Sequence, residues 1–317
     1  MVFLPEALGR TETVDVGGCQ GRVLTPQLRA RIDGKAPDVL LPPSGTPAKL
    51  VESIKRQNPL FYWGREIHVG TRASVVSEFL FEFDLPDALS KASSQVAHIN
   101  HEIDSWFSRL RDWLEVLTQQ DLSVDDPDSG ATLLGVHDWA IDGQTDWDRN
   151  NRLPLSIILA PHRPVQAVGV AQWQAAMNGA NHREHPDPVY LLLRDARKRI
   201  HRDQYAYAVI FAGTATEIVL KRVNESELKR LGNPGRFVEN TLHRATLGRL
   251  ISIGRSLGFT FPEGIDQQLV EPRNRAIHES AHISGVDAGK ALEIANSVVV
   301  EWAPLPSASK RAIDSAS

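Results

Sequence analysis

Leu89, Ala92, Val96, Ile99, Ile103, Trp106, Leu110, Trp113 and Leu117 recur at alternating spacings of three and four residues. That rhythm predicts one long amphipathic helix over about 86–119, with Pro86 near its start, where a missing amide donor costs nothing. The same alternation is also the seam geometry of a coiled coil, which could join a partner chain. Tryptophans at seam positions fit a globular core better than a slender zipper, so the helix is expected to pack on its own domain.

Residues 1–84 read as short β segments such as Val75–Phe83, punctuated by Gly, Pro and Thr. Residues 121–152 are rich in Asp, Gly and Asn, including Asp125, Asp126, Asp128, Asp142, Asp146 and Asp148. Their carboxylate spacing invites a calcium loop, yet the EF-hand glycine and the glutamate at position twelve are missing. A solvated loop is the expectation. Leu155–Ala160 reads as a buried strand closing the N-terminal domain, and Asn178–Pro186 as a linker.

Beyond that point the apolar period becomes helical. Helices are expected over 189–200, 204–223, 237–257, 272–282 and 287–302, with Gly232, Pro234, Gly258 and Pro262 as stops. The expected fold class is α+β: a mixed α/β domain over 1–180, an all-α bundle over 187–304, and a disordered tail over 305–317.

The 317 residues, 42% hydrophobic and 23% charged, suit a globular protein of two domains. A single cysteine, Cys19, excludes an intrachain disulfide framework. No apolar run approaches the roughly 20 residues of a membrane span. Met1–Glu6 does not begin a basic segment followed by an apolar core. A cytoplasmic protein with no membrane partner is expected.

The net charge of −4 argues against a nonspecific nucleic-acid coat. Its distribution matters more. Residues 187–317 hold 18 Lys+Arg against 15 Asp+Glu, or +3, leaving 17 against 24, or −7, for residues 1–186. The C-terminal part is the better partner for a polyanion.

Within it stands Glu271-Pro272-Arg273-Asn274-Arg275-Ala276-Ile277-His278. A guanidinium that grips phosphate and an imidazole that titrates near neutrality are what metal-free cleavage of an RNA backbone needs. On a helix, Arg273 and His278 lie about 140° apart, whereas Asn274 and His278 are i and i+4 on one face. One copy therefore pairs its own two groups poorly, and two copies could complement each other.

The next residues spell a competing pattern. His278-Glu279-Ser280-Ala281-His282 is HExxH, with Glu301 as a possible third zinc ligand and Glu279 as base. Against it, Arg273 and Arg275 put cations beside the first histidine, Gly285 is placed to stop the helix, and Glu301 sits in an apolar run.

The C-terminal bundle resembles the HEPN superfamily of helical nucleotide-binding and ribonuclease domains. Arg273-Asn274 and His278 match its Arg, four to six residues, His signature with an Asn after the Arg. Ala212–Glu217, Thr246–Leu250 and the closing helix over Ala288–Val299 support the match, which covers 187 to about 304. The first 186 residues carry no such likeness.

The resemblance implies a metal-independent endoribonuclease that needs no cofactor and works as a homodimer, with both motifs facing one composite site. His278 would be general base or acid, Arg273 would neutralise the phosphoryl oxygens, and Asn274 would orient the histidine or the phosphate. Glu217, alone in an apolar helix, is expected to be a half-buried partner of an arginine such as Arg273, adjacent to the site, as is His282. The family's usual setting is a toxin, an abortive-infection system or antiviral defence. In that setting the N-terminal domain would be a sensing or regulatory part that receives a trigger ligand or protein. A catalytically silent nucleotide- or partner-binding module, or a zinc peptidase, are the alternatives.

Overall fold

The computed structural model describes residues 1–28, 40–44, 46, 63–69, 71–76, 79–83, 93–122, 167–278 and 282–305. The chain divides between His185 and Pro186 into two units. The acidic stretch 123–152, the strand expected over Leu155–Ala160, the first turn of the long helix at 86–92 and the tail beyond 305 lie outside the described residues.

Among its described residues the first unit carries two three-stranded antiparallel sheets. One orders β1 (Val2–Phe3), β5 (Thr71–Val76) and β4 (Gly64–Val69); the other orders β2 (Thr11–Val16), β3 (Cys19–Leu24) and β6 (Leu80–Phe83). β2 and β3 form a hairpin in register Val16↔Cys19. Its two-residue turn puts Gly17 at φ +61 and Gly18 at φ +83, the left-handed pair that matches strand twist and that glycine adopts without strain. Val14 and Val16 alternate inward along β2, as a half-buried strand requires.

The long helix is present as α1 (Ser93–Thr118), and α2 (Val170–Asn181) packs against it. Ile103, Trp106, Leu110 and Trp113 are buried, as the three-four rhythm demands. At its C-terminal end the buried face moves to Leu114 and Thr118, while Leu117 is only half-buried. That drift is what a straight helix of 3.6 residues per turn shows against a globular core, whereas a supercoil would hold the seam at 3.5. Phe3, Phe79 and Trp173 form an aromatic cluster with ring centroids 5.4–6.0 Å apart.

The linker expected over Asn178–Pro186 needs correction. Asn178–Asn181 are the last turn of α2, and only His182–Pro186 lies beyond the helix. Gly179 read as a loop residue, but it marks a close approach: a Cβ there would sit 2.1 Å from Trp113 Nε1. The Trp113 indole N–H, passing over that gap, donates to the Glu184 carbonyl at 2.9 Å.

The second unit is helical. α3 (Pro188–His201) opens with the Asp187 side chain accepting from Val189 N at 3.0 Å, a cap that satisfies a donor left without an intrahelical partner. α4 (Tyr205–Arg230) is the central helix, seven residues longer than expected at its C-terminal end. It packs on α3 and on the last helix, α8 (Gly285–Trp302); Ala212 and Ala215 of α4 and Ala291 and Ala295 of α8 are fully buried.

One helix was expected over 237–257, and two form: α5 (Gly235–Leu242) and α6 (Leu247–Ser256). No glycine or proline separates them. Thr246 stands at the N-cap of α6 without a side-chain cap bond, and Glu217 Oε1 accepts the Leu247 amide at 3.1 Å instead. After α6 a π-helical turn, Asp266–Val270, leads into α7 (Glu271–His278). The wide turn precedes Pro272, whose ring lacks a donor and crowds the preceding helical carbonyl.

Candidate functional site

α7 carries the motif, and its helical geometry sorts the three residues as their spacing dictates. Arg273 turns inward, with its side chain 16% exposed, while Asn274 and His278 are exposed on the other face. Ile277, beside His278, is an exposed apolar residue at 43%.

Arg273 is held from below. Its Nη2 donates to Glu217 Oε1 at 2.7 Å, the pairing expected from the isolated carboxylate of α4, and its Nη1 donates to Asn274 Oδ1 at 3.4 Å. The Arg273 Nε is buried without a hydrogen-bond partner among the described residues. Gly213 makes room for the arginine stem: a Cβ there would lie 2.8 Å from Arg273 Cγ. Glu217 therefore serves two masters, the guanidinium and the first amide of α6, and its charge sits where that helix's positive end favours an anion.

This arrangement fixes Arg273 through three elements, α4, α6 and α7. One face of the guanidinium is committed to Glu217, so a phosphate could reach only the remaining donors. The sequence flagged Glu217. It gave no sign of Gly213 or of the Leu247 amide, since a glycine in a helix and a backbone donor carry no chemical label.

Of the zinc-protease pattern, His278 is the last residue of α7 and His282 is exposed outside any helix, while Glu279, between them, lies outside the described residues. Among the described residues, no three His, Cys, Asp or Glu side chains group in a way that could hold a metal ion. Gly285 also has a different role from the one expected. It opens α8 rather than ending the motif helix. Ser284 caps it, accepting from Asp287 N at 3.1 Å and donating to the Asp287 carboxylate at 2.8 Å. That hydroxyl holds the Asp287 carboxyl below its usual range.

No helix among the described residues is long and apolar enough to cross a membrane. Compared with protein-family models, curated proteins and solved structures, the chain matches none.

Proposed function

We propose that this protein is a metal-independent endoribonuclease of HEPN type, acting on RNA as a homodimer with a composite site. The observation that carries the reading is the setting of α7: an inward arginine held in place by Glu217 beside an outward Asn274 and His278. A half-buried carboxylate that orients a guanidinium is the kind of support that charge stabilisation at a transition state requires.

In this mechanism His278 takes the proton of a ribose 2′-OH as that oxygen attacks the adjacent phosphorus. The His278 of a second copy gives a proton to the departing 5′-oxygen. The products are a 2′,3′-cyclic phosphate and a 5′-hydroxyl. The free donors of Arg273 neutralise the phosphoryl oxygens, and Asn274 orients imidazole or phosphate. DNA, lacking the 2′-OH, is not cut. The N-terminal unit then serves as the sensing part, in a toxin, abortive-infection or antiviral defence role.

The test is RNA cleavage by purified protein in EDTA. His278→Ala should lower cleavage by about 10² to 10⁴-fold, the usual weight of a general acid or base. Because His278 is exposed, its stability should change by less than about 0.5 kcal/mol. Cleavage that survives in His278→Ala, or that EDTA abolishes, rules out this mechanism.

One observation favours a second reading, a silent binding module. The same Glu217 pairing that orients Arg273 also neutralises it, as a purely structural arginine would require. In that case RNA stays intact under every condition, and Arg273→Ala alters only stability.

A further inference from the structure

At the corner between α3 and α4 an arginine lies against two aromatic rings. The Arg199 guanidinium carbon is 5.8 Å from the ring centroid of Tyr207 and 5.8 Å from that of Phe211. Tyr207 and Phe211 are i and i+4 on α4, so they form one continuous shelf. Tyr207 is 59% exposed, far more than a tyrosine needs merely to keep its hydroxyl wet. Among the described residues Arg199 meets no carboxylate; its side chain also donates to the Gln204 carboxamide.

The surroundings are basic. Five cations, Arg194, Arg197, Lys198, Arg199 and Arg202, stand with two carboxylates over 194–203: Asp195, paired with Arg194 at 2.9 Å, and Asp203, which accepts from the Tyr205 hydroxyl at 2.5 Å. An exposed ring backed by a guanidinium on a cationic surface is the chemistry that stacks an unpaired base while attracting its backbone.

Tyr207 lies on α4, the same helix whose Gly213 and Glu217 hold Arg273. The six residues from Gly213 back to Tyr207 span roughly 9 Å along that helix.

We propose that Tyr207, backed by Arg199, is a stacking platform for a base of single-stranded RNA, on the helix that also carries the partners of Arg273. This rests on the ribonuclease reading for its substrate, but it is tested by binding alone. The probe is a fluorescein-labelled single-stranded RNA dodecamer, titrated by anisotropy against full-length protein carrying His278→Ala so that nothing is cut.

Adding Tyr207→Ala should weaken binding about tenfold, within the range measured for loss of one base–aromatic stack. Tyr207→Phe should bind within about twofold of the parent, and a dodecamer of abasic sites should lose most of the difference between Tyr207 and Ala. Equal binding by Tyr207→Ala overturns the platform, as does the absence of any binding at tens of micromolar. A Tyr207→Ala loss accompanied by a shift from dimer to monomer also overturns it, in favour of a subunit contact. If Tyr207 governs binding while the unmutated protein never cuts RNA, the nuclease reading falls and the platform stands.

Discussion

Removing the Glu217 carboxylate is the most direct probe of the arrangement around the motif. Truncating one member of a fully buried, hydrogen-bonded ion pair costs about 3–5 kcal/mol, because the other charge is left without a partner. Here the side chains of Arg273 and Glu217 are 16% and 19% exposed. Water can reach the freed guanidinium, and the share for the pair falls to about 2 kcal/mol, nearer the value of a charged hydrogen bond. Glu217→Ala also strips the acceptor from the Leu247 amide, a loss comparable to that of a helix cap, about 1 kcal/mol.

The sum is about 3 kcal/mol for Glu217→Ala. Glu217→Gln keeps an acceptor for both donors and should cost about 1 kcal/mol. Urea unfolding followed by circular dichroism measures both, with the midpoint falling at unchanged slope. A double-mutant cycle with Arg273→Ala should give a coupling of about 1–3 kcal/mol, as expected for residues in one network. Zero coupling, or a Glu217→Ala cost below about 0.5 kcal/mol, shows that Arg273 and Leu247 do not depend on this carboxylate.

Gly213→Ala would gain about 1 kcal/mol of helix propensity on an open surface. Here the added Cβ meets Arg273 Cγ at 2.8 Å, so the expected outcome is a lower melting temperature and a loss of RNA cleavage in step with the displaced guanidinium. Gly179→Ala drives a Cβ to 2.1 Å from the Trp113 indole and should destabilise the first unit by more than about 3 kcal/mol, seen as lost near-ultraviolet tryptophan ellipticity. Ser284→Ala removes the cap of α8 and should cost about 1 kcal/mol in urea unfolding, while Ser284→Thr, which keeps a hydroxyl to donate and accept, should recover most of it.

The sequence by itself determined the local elements whose cause is local. The three-four rhythm up to Trp113 produced α1, the Asp187-Pro188 cap placed the start of α3, and the i, i+4 relation of Asn274 and His278 set them on one exposed face with Arg273 turned in. An acidic residue alone in the apolar run of α4 pointed to an arginine partner, since a half-buried carboxylate needs a cation or donors.

Tertiary structure decided whatever depends on groups far apart in the chain. Thr246 is a residue type that caps helices, yet its side chain makes no cap bond, and the Leu247 amide goes instead to Glu217, thirty residues earlier. α4 continues past Val223 because buried Asn224 finds the Leu250 carbonyl at 3.0 Å, which turns a residue that weakens an apolar pattern into part of the core. Gly179 and Gly213 sit in helices because Trp113 and Arg273 cross over them, and a missing side chain reveals its purpose only when the group filling its place is known. A sequence records which donors, acceptors and volumes exist, and folding alone decides which of them meet.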